Sequence, residues 1–222
     1  MGISLKFTES GIVRVMSPKI LTKAKKHLLT DSRLAKVIAR HGKPDIAERG
    51  DTYVALSRAI IYQQLSGKAA GTIYTRYCAN FKDKTPNPKE FFKKKREKLM
   101  EAGLSNQKMN YLYDLSQKFQ DSFITPEKFP SMTDEEIREH LVAVKGIGVW
   151  TADMFLMFTL GRMDVLPTLD LGIKKGFQKL FKLRALPDHD KMVKLARPWA
   201  PYRTVACWYL WRLADEGNPN RP

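Results

Sequence analysis

Between Thr133 and Gly161 the chain holds two helical stretches around a break too short for an ordinary loop. Residues 134–144 carry Ile137, Leu141 and Val144 at helical spacing, and residues 149–160 resume with Trp150, Met154, Met157 and Phe158. Between them stands Lys145-Gly146-Ile147-Gly148. The glycines reach backbone angles closed to other residues and leave no side chain in the way, so two helices can meet at a tight corner. Thr133-Asp134-Glu135-Glu136 opens the segment as a capping box and Gly161 ends it, which makes a helical hairpin over about 134–160. The corner admits two readings. It only packs, or the unpaired amides heading its second helix take a phosphate with Lys145 as the neighbouring cation. It is not a dinucleotide fingerprint, because the third glycine is missing and a helix precedes it.

The rest of the chain follows the same helical period. Ser17-Pro18 starts a helix over 18–29, and others are expected at 32–40, 52–64, 67–80, 93–101, 105–119, 171–182, 189–196 and 201–216. No stretch keeps period-2 alternation long enough for a sheet, so the expected class is all-α. The ends, 1–16 and 217–222, read as loosely docked.

Charge narrows the partners. The 39 Lys and Arg against 23 Asp and Glu leave +16, an excess that suits a polyanion. Residues 82–98 alone hold eight Lys or Arg and three acids, a footing for phosphates. No apolar run is long enough to span a bilayer. The first ten residues read as neither a signal nor a transit peptide, so an intracellular place beside nucleic acid is expected, in a bacterial cytoplasm or a nucleus. Two cysteines, Cys78 and Cys207, exclude a disulfide scaffold and a four-cysteine metal centre, and four scattered histidines form no metal pair. Both cysteines read as small core residues.

Lys145-Gly146-Ile147-Gly148-Val149-Trp150-Thr151-Ala152, followed by Asp164-Val165-Leu166-Pro167-Thr168-Leu169-Asp170-Leu171-Gly172, resembles the helix-hairpin-helix DNA glycosylase superfamily, in its alkylbase branch, the DNA-3-methyladenine glycosylases II. Ile60-Ile61-Tyr62-Gln63-Gln64-Leu65-Ser66 and Arg197-Pro198-Trp199-Ala200-Pro201-Tyr202-Arg203-Thr204-Val205-Ala206 resemble two further signatures of that family. The resemblance covers roughly residues 15–216. It implies a two-lobed helical fold with the DNA-binding cleft between the lobes: a lobe at 52–165 holding the hairpin, and a lobe at 166–222 on which the N-terminal segment 1–51 packs. No small N-terminal sheet domain is expected before residue 17.

The resemblance places the catalytic aspartate on Asp170. Local chemistry agrees, because a residue just before Leu171-Gly172-Ile173 caps a helix whose field favours negative charge; the alternative is that it only caps. Asp164 reads as a loop or capping residue and Asp153 as a structural one. Trp150 stands where glycosylases that also cut the backbone carry a lysine, so no Schiff base is expected and the product is an abasic site. Trp150 and Trp199, with Tyr62 and Phe158 behind them, are candidates to hold a flipped cationic base by cation–π attraction; Trp208 and Trp211 are assigned to anchoring the last helix. Met154 replaces an aromatic of the branch.

The resemblance also implies DNA contacts from Lys145, Gly146, Ile147, Gly148, Val149 and Thr151 of the hairpin and from Lys174. A wedge comes from Leu104, Ser105 or Asn106, and Gln63 reaches toward the vacated stack. No cofactor is required, though a monovalent cation, Na+ or K+, is implied at the carbonyls of Ala143, Lys145 and Gly148. The expected protein is a monomer on damaged double-stranded DNA, without membrane or small-molecule partners. It releases alkylated purines of the 3-methyladenine and 7-methylguanine type. The rivals are a sibling enzyme for mismatched, deaminated or oxidised bases, and a non-catalytic lesion binder.

Overall fold

The computed structural model describes residues 4–8, 11–15 and 17–217. The chain divides into two compact units, one made of residues 1–50 with 156–222 and the other of residues 51–155. Both are helical, as the periodicity implies.

One expectation is corrected. Strands β1 (Ser4–Thr8) and β2 (Gly11–Val15) pair antiparallel, with Leu5 opposite Arg14 and Phe7 opposite Ile12. β3 (Ala47–Arg49) pairs with β2, Val15 opposite Ala47. Each segment is too short to announce itself by alternation; the ladder forms because three short pieces satisfy one another's main-chain groups, which a single-segment pattern cannot reveal. The rest of the ends read as loosely docked, residues 1–3, 9, 10, 16 and 218–222, lies outside the described residues.

The first unit also contains α1 (Pro18–Leu28), α2 (Ser32–His41), α10 (Leu171–Phe181), α11 (His189–Ala196) and α12 (Arg203–Asp215). α10 lies closely on α12: a Cβ on Gly176 would fall 2.5 Å from the Leu210 carbonyl oxygen, so only glycine allows the approach. α2 packs against both. Apolar burial stabilises the unit through Leu34, Ile38, Phe177, Tyr209 and Leu210, all essentially solvent-free. The Tyr209 hydroxyl donates to the Gly42 carbonyl at 2.8 Å.

The second unit runs through α3 (Thr52–Tyr62), α4 (Gly67–Cys78), α5 (Pro88–Phe91), α6 (Arg96–Met100), α7 (Asn106–Gln120) and α8 (Asp134–Val142), and then into α9 (Val149–Phe158). α7 is its spine, burying Met109, Leu112 and Leu115 on the face expected from their spacing. The Tyr53 hydroxyl meets the Ser116 Oγ at 2.7 Å in the same core, which gives a buried polar pair its partner.

The chain leaves the second unit between 155 and 156, within α9, earlier than the expected 165/166. The reason is a clamp on the segment after α9. Thr204 Oγ donates to the Arg162 carbonyl at 2.7 Å and accepts from Val165 N at 3.1 Å, while Arg203 holds Asp164 at 2.7 and 2.8 Å. These contacts commit residues 162–165 to α12. Among the described residues no helix is long and apolar enough to cross a membrane.

Candidate active site

Asp170 is the N-cap of α10, as its place in the sequence predicts. Its Oδ1 accepts from Ile173 N at 2.8 Å, satisfying one of the amides every helix start leaves open. The same oxygen accepts from the Trp211 indole N–H at 2.9 Å. Gly172 makes room for this: a Cβ there would sit 2.8 Å from the Trp211 ring and 3.1 Å from Asp170 Oδ1. Asp170 is half-buried, and Leu169 and Leu171 on either side are 60% and 55% exposed. A carboxylate held by two N–H donors at an accessible rim is oriented without being sealed off.

The aromatic assignments need two corrections. Trp211, assigned to anchoring, is the tryptophan at the carboxylate. The Phe158 ring lies 5.9 Å from it, tilted by 31°, so Phe158, Trp211 and Asp170 form one cluster. Trp199, assigned to the pocket, is fully buried. It packs against Phe177 and Phe181 at 5.2 and 6.0 Å and donates its N–H to Asp31 Oδ2 at 3.1 Å. No face of it is left for a base. The only hint in the sequence was that Trp211 sits two helical turns after Thr204, on the α12 face that grips the loop leading to Asp170. Asp164, expected as a loop or capping residue, lies in the loop and is bound to Arg203. Lys174 is half-buried one turn into α10.

In the second unit, the α8–α9 hairpin is built as expected. Thr133 and Glu136 close a reciprocal capping box, and Arg138 on α8 pairs with the buried Asp153 on α9 at 2.9 Å. Burial pushes the Asp153 carboxyl upward in pKa, and the Arg138 charge opposes it. Gly146 takes φ +83°, and the Tyr111 ring occupies the space a Cβ would need. Gly148 has open space around it.

The turn's polar groups divide into two sets. The Gly146 carbonyl accepts from Gln63 Nε2 at 2.7 Å, Lys145 N donates to Asp114 Oδ2 at 2.8 Å, and Ile147 N returns to the Val144 carbonyl at 3.0 Å. Gly148 and Val149 head α9, with Gly148 O accepting from Ala152 N at 3.0 Å. Ile147 and Thr151 are buried, so their side chains hold the corner and do not project from it. Lys145 is exposed.

The remaining candidates fall in the same unit. Trp150, in the first turn of α9, is 46% exposed, and Met154 is half-buried. One face of Tyr62 is covered by the Arg58 guanidinium, 4.0 Å from the ring centre, which uses the attraction a cationic base would need. Leu104 is 5% exposed and therefore no wedge, because its side chain belongs to the core beneath the loop. Ser105 and Asn106 are exposed at the head of α7, Ser105 as its N-cap. Gln63 is committed to the hairpin, whereas Gln64 beside it is exposed with φ +57°, a conformation uncommon outside glycine. The signal that could have separated the two glutamines is a long-range partner, which no local pattern contains.

Comparison with known proteins shows the family. Residues 57–201 match the HhH-GPD superfamily, whose members are base excision DNA repair proteins. DNA-3-methyladenine glycosylase 1 of Schizosaccharomyces pombe is 36% identical over 211 residues, 91% of this chain and 92% of its own. The crystal structure of DNA-3-methyladenine glycosidase from Bacillus halodurans superposes with a TM-score of 0.79 at 34% identity, over 90% of each chain. A Schizosaccharomyces pombe 3-methyladenine DNA glycosylase in complex with abasic DNA superposes with a TM-score of 0.71 at 33% identity, over 86% of this chain and 95% of that one. With the hairpin, the capping aspartate and these likenesses together, the chain belongs to the HhH-GPD superfamily of base excision DNA repair proteins, in its DNA-3-methyladenine glycosylase II branch.

Proposed function

We propose that this protein is a monofunctional DNA glycosylase that flips alkylated purines out of duplex DNA and hydrolyses the N-glycosidic bond, leaving an abasic site. The observation that carries the reading is the Asp170 carboxylate held by Ile173 N–H and Trp211 N–H beside the Phe158 ring. Cleavage of the C1′–N bond builds positive charge on the sugar, and a carboxylate already oriented there stabilises it or directs a water without reorganising. A 3-alkylated or 7-alkylated purine is cationic before it leaves, so a general acid is not needed. The electron-rich faces of Phe158 and Trp211 attract such a ring. Because the indole that meets the base also donates to Asp170, base contact and carboxylate orientation share one side chain.

No lysine stands at the position occupied by Trp150, so the sugar finds no amine there for a Schiff base. On the DNA side, the N–H groups of Gly148 and Val149 suit a phosphate at the start of α9, with Lys145 alongside. The exposed lysines at 82, 84, 89, 93 and 95 add contacts that carry no sequence information. Ser105, Asn106 and Gln64 are the exposed residues placed to probe the stack. A monovalent cation fits the donor chemistry at Ala143, Lys145 and Gly148: the carbonyls are neutral oxygens with two lone pairs, of which Gly148 spends one on Ala152 N. Bound there, the ion would supply positive charge to the phosphate.

The test is single-turnover base release from methylated duplex DNA and from hypoxanthine and ethenoadenine duplexes, with wild type beside Asp170→Asn. Free 3-methyladenine, strand scission only after alkali, and a collapsed rate in the variant are expected. Tight binding of methylated DNA with no released base would sink the reading and leave a lesion binder; release only from mismatched or oxidised duplexes would point to the sibling class.

A further inference from the structure

The turn after α3 and the hairpin turn lie far apart in the sequence, yet one face of α7 holds both. Lys108, Tyr111, Asp114 and Lys118 follow at three- and four-residue spacing and so share that face. The Lys108 ammonium donates to the carbonyls of Ile61 and Gln63, the latter at 2.9 Å, closing the C-terminal end of α3. Gln63 in turn donates its side-chain amide to the Gly146 carbonyl at 2.7 Å. Tyr111 fills the space over Gly146, and Asp114, paired with Lys118 at 3.1 Å, accepts the Lys145 amide at 2.8 Å. The contacts close a ring: α7 to Gln63, Gln63 to the hairpin turn, and the hairpin turn back to α7.

Lys108 combines two features. It is half-buried, and burial pulls its pKa below the usual lysine value. Its acceptors are neutral main-chain carbonyls and not carboxylates. Lys179 also donates to main-chain carbonyls, those of Leu213, Ala214 and Glu216, but is exposed. Two of the three N–H donors of Lys108 are spent this way, which leaves at most one for a phosphate. The elements it joins are the exposed ones: Ser105 and Asn106 lie within one turn of it on α7, and Gln64 follows directly on the carbonyl it grips.

We propose that Lys108 is a positioning residue for base flipping: by tying the Gln63–Gln64 turn to α7 and, through Gln63, to the hairpin turn, it holds the phosphate-gripping and stack-probing parts of this unit as one rigid piece. The inference rests on the glycosylase reading above. Flipping demands that residues probing the stack stand at a fixed offset from the gripped phosphate, and misplacement by about 1 Å can cost ~100-fold in rate. A loosened turn therefore lowers the rate on bound DNA while leaving the grip intact.

The experiment compares wild type, Lys108→Met, Lys108→Arg, Gln63→Met and the Lys108→Met/Gln63→Met double variant. Three quantities are read: single-turnover release of 3-methyladenine at saturating enzyme, the salt dependence of affinity for undamaged duplex, and the melting temperature. Lys108→Met is expected to release base about tenfold more slowly, the loss typical of a charged hydrogen bond. Its salt slope stays that of wild type, and Lys108→Arg recovers most of the rate. The double variant loses little more than the worse single one, because both changes break the same ring. Should Lys108→Met fail to fold, Lys108→Gln, which keeps an amide donor, replaces it with the same expectation at smaller size.

A wild-type rate in the Lys108 variant overturns the proposal. So does a salt slope lower by about one unit, which marks a direct phosphate contact. So do losses that simply add. If wild type itself releases no base, the glycosylase reading fails and takes the proposal with it; an active wild type beside an unaffected Lys108→Met sinks the proposal alone.

Discussion

Asp31 and Asp170 occupy the same local geometry in the same unit and do different work. Each caps a helix, α2 and α10 respectively, through amides of the first turn, and each accepts the indole N–H of a distant tryptophan. At Asp31 the tryptophan is Trp199, fully enclosed between Phe177 and Phe181, and the Asp31 side chain is only 6% exposed. At Asp170 the tryptophan is the half-buried Trp211, and the flanking leucines stand in solvent. One capped carboxylate, closed over, is a joint of the core. The other, left open at the rim, is placed to face a sugar. Capping sets orientation; exposure decides what the oriented group can meet.

The comparison can be broken from either side. The largest effect is expected at the closed site. Trp199→Ala should cost about 3–5 kcal/mol, because it empties a large buried volume and strips Asp31 of a donor. Chemical denaturation reads it, and base release by whatever fraction stays folded should be near normal. At the open site Asp170→Asn should do the reverse, lowering single-turnover release by about 10²- to 10³-fold, the scale for removing one preorganised electrostatic group, with little change in melting temperature. If Asp170→Asn proves to be the destabilising variant and remains active, Asp170 is the joint and the assignment is wrong.

Smaller changes sharpen the contrast. Trp211→Phe keeps an aromatic face but removes the N–H to Asp170 Oδ1; release should slow by about tenfold, with affinity for damaged duplex within a few-fold, since only the carboxylate loses its donor. An equal loss of affinity would mean that the ring acts chiefly as a base-holding surface. The smallest effect belongs to Asp31→Asn, about 1 kcal/mol of stability at neutral pH, because the hydrogen bonds from the first-turn amides and the Trp199 indole lose their charged acceptor.

That last variant also has a pH signature. Burial works to raise the Asp31 pKa, but the Arg33 amide, the Trp199 indole, the Leu34 amide and the Arg33 charge outweigh it and hold the carboxyl below its ordinary 3.8. A depressed folded-state pKa contributes stability above the unfolded value and loses it as pH falls through the folded one. The difference in stability between wild type and Asp31→Asn should therefore be full at neutral pH and shrink only below about pH 4. A difference that grows on acidification would contradict the sign.

Much of the fold and site was legible because it is local. Helix starts are written as caps, so Thr133 and Asp170, read as caps, each fall at the head of a helix. The hairpin was legible for the same reason, because two glycines inside a helical period leave few conformations. Leu104 was misread as a wedge because an apolar residue in a polar loop looks alike whether it turns outward or into the core beneath. The short strands were missed because pairing is a property of two segments and not of either one.

The amino-acid sequence by itself determined the helical class, the hairpin, the place of the capping aspartate and, through their order along the chain, the family. Those properties depend on neighbours within a turn or two, where period and capping chemistry leave little choice. Only the tertiary structure decided which tryptophan meets which aspartate. Trp199 reaches across 168 residues to Asp31 and Trp211 across 41 to Asp170, and the two indoles are chemically identical until packing closes over one and leaves the other open. It decided likewise that Gln63 turns to the hairpin while Gln64 stays exposed, and that Lys108 spends its charge on carbonyls. Contacts across such distances depend on how helices stack, a sum over many buried side chains that no local pattern contains.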